Sequence, residues 1–155
     1  MIEVMREREI PAAADELWPL VSDPGRLAEW FDFAEGAEVI EGDPGVGQRR
    51  RMHGSWGKRK SEIDQRVVDW DPPRRLAWEH EAERLDGKPA PRFAAETRFS
   101  IELEPAGGDS TRVRLTSRQV PATKPRGLVI RVFGKREIGG KLDGSLERLA
   151  GLAGR

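Results

Sequence analysis

One histidine and a few polar side chains are the residues of this chain whose positions could support chemistry. His80 shares a face with Trp78 and Ala82 by the two-residue period of a β-strand. A polar group on a buried face costs about 1–3 kcal/mol unless it is paired. Histidine is also the side chain that most readily exchanges a proton near neutral pH. Any proton transfer would therefore fall to His80, with a paired structural histidine as the more common alternative.

The same period places further side chains on the inner face of a predicted sheet. Thr97 and Phe99 share one face of a strand whose other face is mainly charged, and Ser117 and Gln119 do so in the next strand. An apolar wall with a few converging polar groups is typical of a ligand site. The predicted lining is Trp30, Phe33, Arg50, Met52, Trp56, Trp78, His80, Thr97, Phe99, Ser117, Gln119 and Phe133. For the aromatic members, a place in the ordinary core is the alternative.

Arg50 shares its strand parity with Met52, which indicates either a solvated strand end or a guanidinium at the mouth of a cavity. The solvated position is favoured, because Arg49, Arg50 and Arg51 are consecutive and cannot all lie inside. His53 falls on the opposite face and is predicted to lie at the surface.

The sequence carries none of the common catalytic or metal-binding motifs. It has no cysteine, no Gly-x-Ser-x-Gly elbow and no dinucleotide-binding glycine motif after a strand. His53 and His80 lack the spacing of a zinc site. We therefore expect no metal and no cofactor. The 27 basic and 27 acidic residues balance, and interleaved carboxylates neutralise the arginine-rich strands, so nucleic acid is not an expected partner.

The N-terminal elements are a strand ending at Ile10 and two short helices. Apolar residues at helical spacing predict the first helix, and Asp23-Pro24 is typical of the cap and first turn of the second. Several apolar side chains of this region need a sheet to bury them: Leu17, Trp18, Leu20, Val21, Leu27 and Trp30.

Alternating segments and turn residues predict six further strands, at 37–41, 48–56, 58–70, 75–83, 95–104 and 111–120. Residues 84–91 are predicted to be a polar loop. In the fifth of these strands the inner face is Ala95, Thr97, Phe99, Ile101 and Leu103. The regular alternation indicates an antiparallel sheet with one wet face.

A long helix is predicted after Pro121. Its apolar residues recur at three- and four-residue steps: Leu128, Val132, Leu142, Leu146 and Leu149. If continuous to Ala153, it is roughly 40 Å long at 1.5 Å per residue. Its glycines are unfavourable in a helix, and a kink is predicted near Gly139-Gly140.

In these features the chain resembles the START-related helix-grip superfamily (SRPBCC), and within it the polyketide cyclase/dehydrase branch. The matching segments are Ile10-Pro11-Ala12 with Leu17-Trp18, Asp23-Pro24 with Trp30, Gly45-Val46-Gly47, residues 67–78 and residues 145–149. The resemblance implies an α+β helix-grip fold, in which a curved antiparallel sheet of about seven strands (β-α-α-β6-α) wraps around a long C-terminal helix. It also implies one START-like domain over residues 1–155.

The resemblance further implies an interior cavity for an apolar or amphipathic small molecule. The favoured function is non-catalytic binding or carrying of a lipid, isoprenoid or aromatic polyketide-like compound. A cyclase or dehydratase using His80, with Ser117 and Arg50, is the first alternative. Ring closure in such relatives is thought to rest on cavity shape and a few polar groups, tyrosine among them, and this chain has no tyrosine. The second alternative is a protein-interaction module like the chaperone-activating relatives, which a collapsed cavity would favour.

Location and assembly are expectations of the same kind. No apolar run approaches the roughly 20 residues of a membrane span, and the first residues do not resemble a signal peptide. The absence of cysteine is compatible with a reducing cytoplasm, which is the predicted location. Exposure of Phe31 or of Val129-Ile130 is predicted to permit a homodimer.

Overall fold

The computed structural model describes residues 1–90 and 94–153. Its strands are β1 (Ile2–Ile10), β2 (Gly36–Glu41), β3 (Arg49–Trp56), β4 (Arg59–Asp71), β5 (Arg75–Leu85), β6 (Lys88–Pro89), β7 (Ala94–Pro105) and β8 (Thr111–Pro121). Its α-helices are α1 (Ala14–Ser22), α2 (Leu27–Trp30), α3 (Lys124–Val129) and α4 (Lys135–Ala153). A 3₁₀ turn (Pro24–Arg26) precedes α2, and a π-helical turn (Ile130–Gly134) joins α3 to α4.

The strands form one antiparallel sheet in the order β1-β8-β7-β5-β4-β3-β2, with β6 paired to the far end of β5. The register aligns Trp78 with Phe99 and Phe99 with Ser117 across three neighbouring strands. The predicted α+β helix-grip fold is therefore confirmed, and the structure has the short β6 in addition to the expected strands.

The two short N-terminal helices bury their apolar side chains in the core that lies against the sheet, as expected. Leu17 and Val21 of α1 are fully buried, and Asp23 accepts a hydrogen bond from the backbone N–H of Gly25 at 2.8 Å. Trp30 at the end of α2 is also fully buried, and its indole N–H donates to the carbonyl of Leu20 at 3.0 Å. This bond satisfies the one polar atom of a large core side chain.

Two strand boundaries differ from the prediction. The predicted loop at 84–91 is wrong for its described part, because β5 continues to the buried Leu85 and turns back through Asp86 and Gly87, both at positive φ. Pro91 lies outside the described residues. In β7, a register shift between Ala94 and Glu96 buries Ala94 and exposes Ala95, so the inner face predicted from simple alternation is wrong at its first member.

No break occurs at Gly139-Gly140, since α4 runs through both glycines, and a kink there stays a prediction. The irregularity that the structure shows is the π-helical turn at Ile130–Gly134. A π turn takes up extra residues and shifts the phase of a helix face, which explains why Leu128 is exposed while Leu142 and the leucines after it are buried as predicted. At Gly139, a Cβ atom would lie only 2.5 Å from the guanidinium of Arg6.

A set of polar contacts fixes α4 to the segment that follows α2. The hydroxyl of Ser145 accepts from the backbone N–H of Asp32 at 2.9 Å and donates to the carbonyl of Lys141 at 2.7 Å. Arg148 donates to the Asp32 carboxylate at 3.0 Å and to the carbonyl of Ala28 at 2.8 Å. The carboxylate of Asp32 also lies where a Cβ atom of residue 144 would stand, so this approach requires Gly144.

We predict that Gly144→Ala and Asp32→Ala are energetically coupled. In an Asp32→Ala background, Gly144→Ala should stabilise the protein by about 1 kcal/mol, the ordinary helix preference for alanine. In the wild type the methyl group displaces the carboxylate from Arg148, so the same change should be less favourable by about 1–2 kcal/mol. Urea unfolding of the four proteins measures this coupling. Additive effects would show that the Asp32 carboxylate does not constrain residue 144.

Candidate functional site

A cavity of about 410 Å³ lies between the concave face of the sheet and the helical segment that starts at α3. Met52, Trp78 and Phe99 are buried in its floor, and they come from β3, β5 and β7. Trp56 at the end of β3 and Phe133 in the π-helical turn line its mouth and are exposed. The sheet curvature and the irregular helix therefore leave a space that the side chains of the protein do not fill.

Aromatic rings contact one another around Phe31 at the inner end of the cavity. The ring centroid of Phe31 lies 4.8 Å from Phe99, 4.9 Å from Phe33 and 5.8 Å from Trp78. Trp78 and Phe99 are 5.0 Å apart. Because α2 ends at Trp30 and the chain then turns inward, Phe31 is buried, and the prediction of an exposed Phe31 is wrong. Of the other pair, Val129 is exposed and Ile130 is buried.

Ten of the twelve predicted lining residues border this cavity. They are Phe33, Met52, Trp56, Trp78, His80, Thr97, Phe99, Ser117, Gln119 and Phe133. The two-residue strand period was sufficient to select the members from the sheet. That these residues contact a ligand stays a prediction.

Trp30 and Arg50 do not border the cavity. Trp30 belongs to the core behind it. Arg50 is buried, so the favoured solvated position is wrong and the alternative at the mouth is wrong as well. Its guanidinium donates to Oε1 of Gln48 at 2.8 Å and to the carbonyl of Ser22 at 3.0 Å. Burial lowers the pKa of Arg50 to about 10, with the nearby carboxylate of Asp23 opposing this shift.

Sequence reasoning missed several lining residues, most of them on the helical side: Phe31, Ile63, Val129, Ile130, Glu137, Ile138 and Lys141. Four-residue steps connect Val129, Phe133, Glu137 and Lys141, so helical spacing from Phe133 contained the signal. Ile63 follows from the strand period of β4 in the same way.

The polar part of the lining lies nearer the mouth than the aromatic floor. Thr97 pairs with Gln119 across β7 and β8, one inward-facing step beyond the pair Phe99 and Ser117. His80 on β5 is 13% exposed, and among the described residues its Nδ1 has no hydrogen-bond partner. The nearest carboxylate oxygen, Oε1 of Glu83, is 3.5 Å away, beyond a good hydrogen bond. His80 lines the cavity, but this ring nitrogen is itself buried, so a bound group would meet the imidazole at another ring atom.

On the helical side, Lys141 is the basic residue of the lining. Its Nζ lies 3.5 Å from the carbonyl of Asp32 and 5.4 Å from the ring centroid of Phe33. The backbone near Phe33 approaches β3 closely, because a Cβ atom at Gly54 would be 2.9 Å from the Phe33 carbonyl. Glycine at position 54 thus permits the close backbone approach that accompanies the place of Phe33 in the cavity lining.

The described residues contain no group of three or more metal-ligating side chains. Among the helices of residues 1–90 and 94–153, none is both long and apolar enough to span a bilayer. His53 lies at the surface as predicted, 2.9 Å from a carboxylate oxygen of Glu38. The cavity can thus enclose an apolar body and pair a few of its polar groups.

Comparisons with known proteins agree with this geometry. A family model described as "Polyketide cyclase / dehydrase and lipid transport" matches residues 1–154. No curated protein matches the sequence at a significant level.

Solved structures with the same fold cover nearly the whole chain. The protein TTHA0849 from Thermus thermophilus is 21% identical with a TM-score of 0.74, and the match covers 96% of this chain and 94% of that one. The Zhui aromatase/cyclase from Streptomyces sp. R1128 is 22% identical with a TM-score of 0.71, covering 99% and 94%. A START superfamily protein from Mycobacterium smegmatis is 16% identical with a TM-score of 0.72, covering 97% and 96%. At sequence identities of 16–22%, the similarity to these structures establishes the fold alone.

Proposed function

Because the chain belongs to the polyketide cyclase/dehydrase and lipid transport family, we propose that its cavity binds and carries an apolar or amphipathic small molecule. The cargo is a lipid, an isoprenoid or an aromatic polyketide-like compound. The observation that carries this proposal is the unfilled cavity of about 410 Å³ above a buried floor of Met52, Trp78 and Phe99. This volume lies within the range of about 300–1,000 Å³ that small-molecule sites occupy.

The arrangement of the lining supports an amphipathic cargo that enters with its apolar part first. The innermost side chains are aromatic rings, whose burial by a ligand removes a large apolar area from water. His80, Thr97 and Gln119 lie nearer the mouth, where they can pair with hydroxyl or carbonyl oxygens of the cargo. The apolar end of such a molecule would then contact the aromatic rings, and its polar end would contact the polar side chains nearer the mouth.

We expect 1-anilinonaphthalene-8-sulfonate to bind in the cavity and to be excluded by Ser117→Phe. The new ring stands beside Phe99 on the cavity side and takes up the space of the probe, so its affinity should fall at least tenfold, the effect of losing about 1.4 kcal/mol. Probe fluorescence measured during titration gives the affinity. Thr97→Phe fills the same cavity from the neighbouring strand and should act likewise.

Ser100→Phe is the matched control, because residue 100 stands one step along β7 and faces the other side of the sheet. It should leave probe affinity unchanged. Equal probe binding by the wild type, both filling variants and the control would contradict a cavity site.

If the filling variants lose the probe, native mass spectrometry of protein purified from its own host should identify the natural cargo as a co-purifying mass.

A second function has one observation in its favour, the position of the His80 imidazole in the cavity wall. A cyclase or dehydratase would use this imidazole to move a proton during ring closure or loss of water. Since the chain has no tyrosine, and Arg50 is turned away into the core, fewer groups remain to assist His80. His80→Asn should abolish turnover of a poly-β-ketone substrate while sparing its binding if this function holds.

A protein-interaction module without a ligand receives less support, because a collapsed cavity would favour it and the cavity is open. The pairing of β1 with β8 in one continuous sheet supports the expectation of a single ligand-binding domain. A homodimer and a cytoplasmic location stay predictions.

A further inference from the structure

The mouth of the cavity is surrounded by exposed apolar side chains from two separate elements. Trp56 at the β3–β4 hairpin is 54% exposed, and Phe133 in the π-helical turn is 71% exposed. Val129 also lines the mouth, and Leu128 beside it is 63% exposed. Together we call these four side chains the rim. Large apolar groups gathered at one opening mark a surface that binds something apolar.

Basic residues flank the rim on both elements. The segment 121–136 carries Lys124, Arg126, Arg131, Lys135 and Arg136 and has no acidic residue, although the whole chain has a formal net charge of zero. The hairpin adds Lys58, Arg59 and Lys60 after Trp56. Four carboxylates lie close by: Glu137 lines the mouth, Glu83 lies 3.5 Å from His80, Glu35 accepts from Ser55, and Asp86 pairs with Arg59. The eight cations outnumber these carboxylates, so the two elements that carry the rim are positively charged.

We propose that the rim docks this protein on an anionic lipid bilayer. Amphipathic surfaces that lie in the membrane interface combine tryptophan, phenylalanine and leucine with surrounding lysine and arginine. The aromatic side chains would enter the headgroup region, and the cations would face anionic lipids. Since the cavity opens between Trp56 and Phe133, an apolar cargo could pass between bilayer and cavity without crossing water.

The geometry favours a bilayer over an acidic protein partner. The rim side chains come from two separate elements, the β3–β4 hairpin and the helical segment 124–134. A fluid lipid surface can receive separated side chains, whereas a protein partner needs a matching shape. The cations lie on the same two elements as the rim and have long flexible side chains, which suits a surface of uniform negative charge.

The test is sedimentation with vesicles of phosphatidylcholine alone and of phosphatidylcholine with about 30% phosphatidylserine at about 0.1 M salt. We expect clear binding only to the anionic vesicles. Lys135→Gln with Arg136→Gln should weaken the partition coefficient about 25-fold, at about fivefold for each cation near the surface. Leu128→Ser and Phe133→Ser should each weaken it about tenfold through lost apolar burial.

The matched controls lie away from the mouth. Val46→Ser changes an equally exposed apolar side chain in the turn before β3, at the other end of that strand. Arg8→Gln with Arg112→Gln removes two exposed cations from β1 and β8. Neither control should alter vesicle binding. Absence of binding, equal binding to both vesicles, or equal losses in rim and control variants would each overturn the proposal.

This test separates docking from cargo binding. Leu128, Lys135 and Arg136 do not border the cavity, so their variants should bind 1-anilinonaphthalene-8-sulfonate as the wild type does in the absence of vesicles. Loss of vesicle binding with probe binding retained supports a separate membrane-docking surface. If the wild type does not bind the probe, that result counts against the proposed function, and vesicle binding alone then decides whether the rim docks on a membrane.

Discussion

Replacing Trp30 with alanine is expected to lower the free energy of unfolding by about 3–5 kcal/mol. The indole is fully buried, lies 5.2 Å from the ring centroid of Phe31, and joins the short N-terminal helices to the sheet. Its removal leaves a large void and also leaves the Leu20 carbonyl without its donor. Urea unfolding followed by circular dichroism measures the change as a lower transition midpoint.

Two further variants separate the causes. Trp30→Phe keeps most of the apolar volume but has no N–H group, so its loss should be smaller and should reflect mainly the unpaired carbonyl. Trp56→Ala removes the same side chain from an exposed position and should cost less than about 1 kcal/mol. Similar losses at residues 30 and 56 would mean that burial of Trp30 does not hold the two short helices in place.

Asp64→Asn is expected to lower the free energy of unfolding at pH 7 by about 2–3 kcal/mol, below the range for fully buried ion pairs. The carboxylate is 9% exposed and lies between two guanidinium groups, at 2.8 Å from Arg51 and 2.7 Å from Arg84. An amide cannot balance both charges, so the two arginines would repel each other across β3, β4 and β5. The loss is less than for a fully buried pair because both arginines reach solvent.

The same carboxylate predicts a specific loss of stability in acid. Hydrogen bonds first from Arg51 and then from Arg84 hold the pKa of Asp64 at about 2, opposed by desolvation. A depressed acid pKa contributes stability that is complete above the unfolded value of about 4 and disappears as the pH falls through about 2. The unfolding free energy of the wild type should therefore approach that of Asp64→Asn between pH 4 and pH 2.

Asp109→Asn is the control for this prediction, because Asp109 is exposed in the turn between β7 and β8. It should change stability by less than about 0.5 kcal/mol at either pH. A constant difference between the wild type and Asp64→Asn from pH 7 to pH 2 would show that Asp64 keeps the same protonation in folded and unfolded chains.

The sheet side of the cavity could be predicted from sequence because strand geometry is regular. Trp78, Phe99 and Ser117 lie in line across three strands, and the two-residue period places each of them correctly. The prediction fails where the backbone departs from that period. The bulge at Ala94–Glu96 exposes Ala95, and the π-helical turn before Lys135 shifts the phase of the helix face, so that Leu128 is exposed.

Arg50 and Phe31 show a second reason for failure. Arg50 is predicted in solvent because three consecutive arginines cannot all lie inside, but Arg50 alone of the three is buried, and Gln48 and the Ser22 carbonyl supply the acceptors that its guanidinium needs. Gln48 is a local partner just before β3, but Ser22 lies at the end of α1, and local pattern does not bring it to Arg50. Phe31 similarly depends on the direction of the chain after α2, and that direction is set by the contact of Asp32 with Ser145.

The contacts of Ser145 and Arg148 with the segment after α2 divide the C-terminal helical region into two parts with separate tasks. The last turns anchor the helix through Leu142, Leu146, Leu149 and the Asp32 contacts, and none of these residues borders the cavity. Phe133 and Glu137 border the cavity and make none of these contacts, whereas Ile138 also packs against the core and Lys141 also lies beside the Asp32 carbonyl. Evolution or a protein engineer can therefore exchange residues 133 and 137 for new selectivity while the attachment of the helix stays intact.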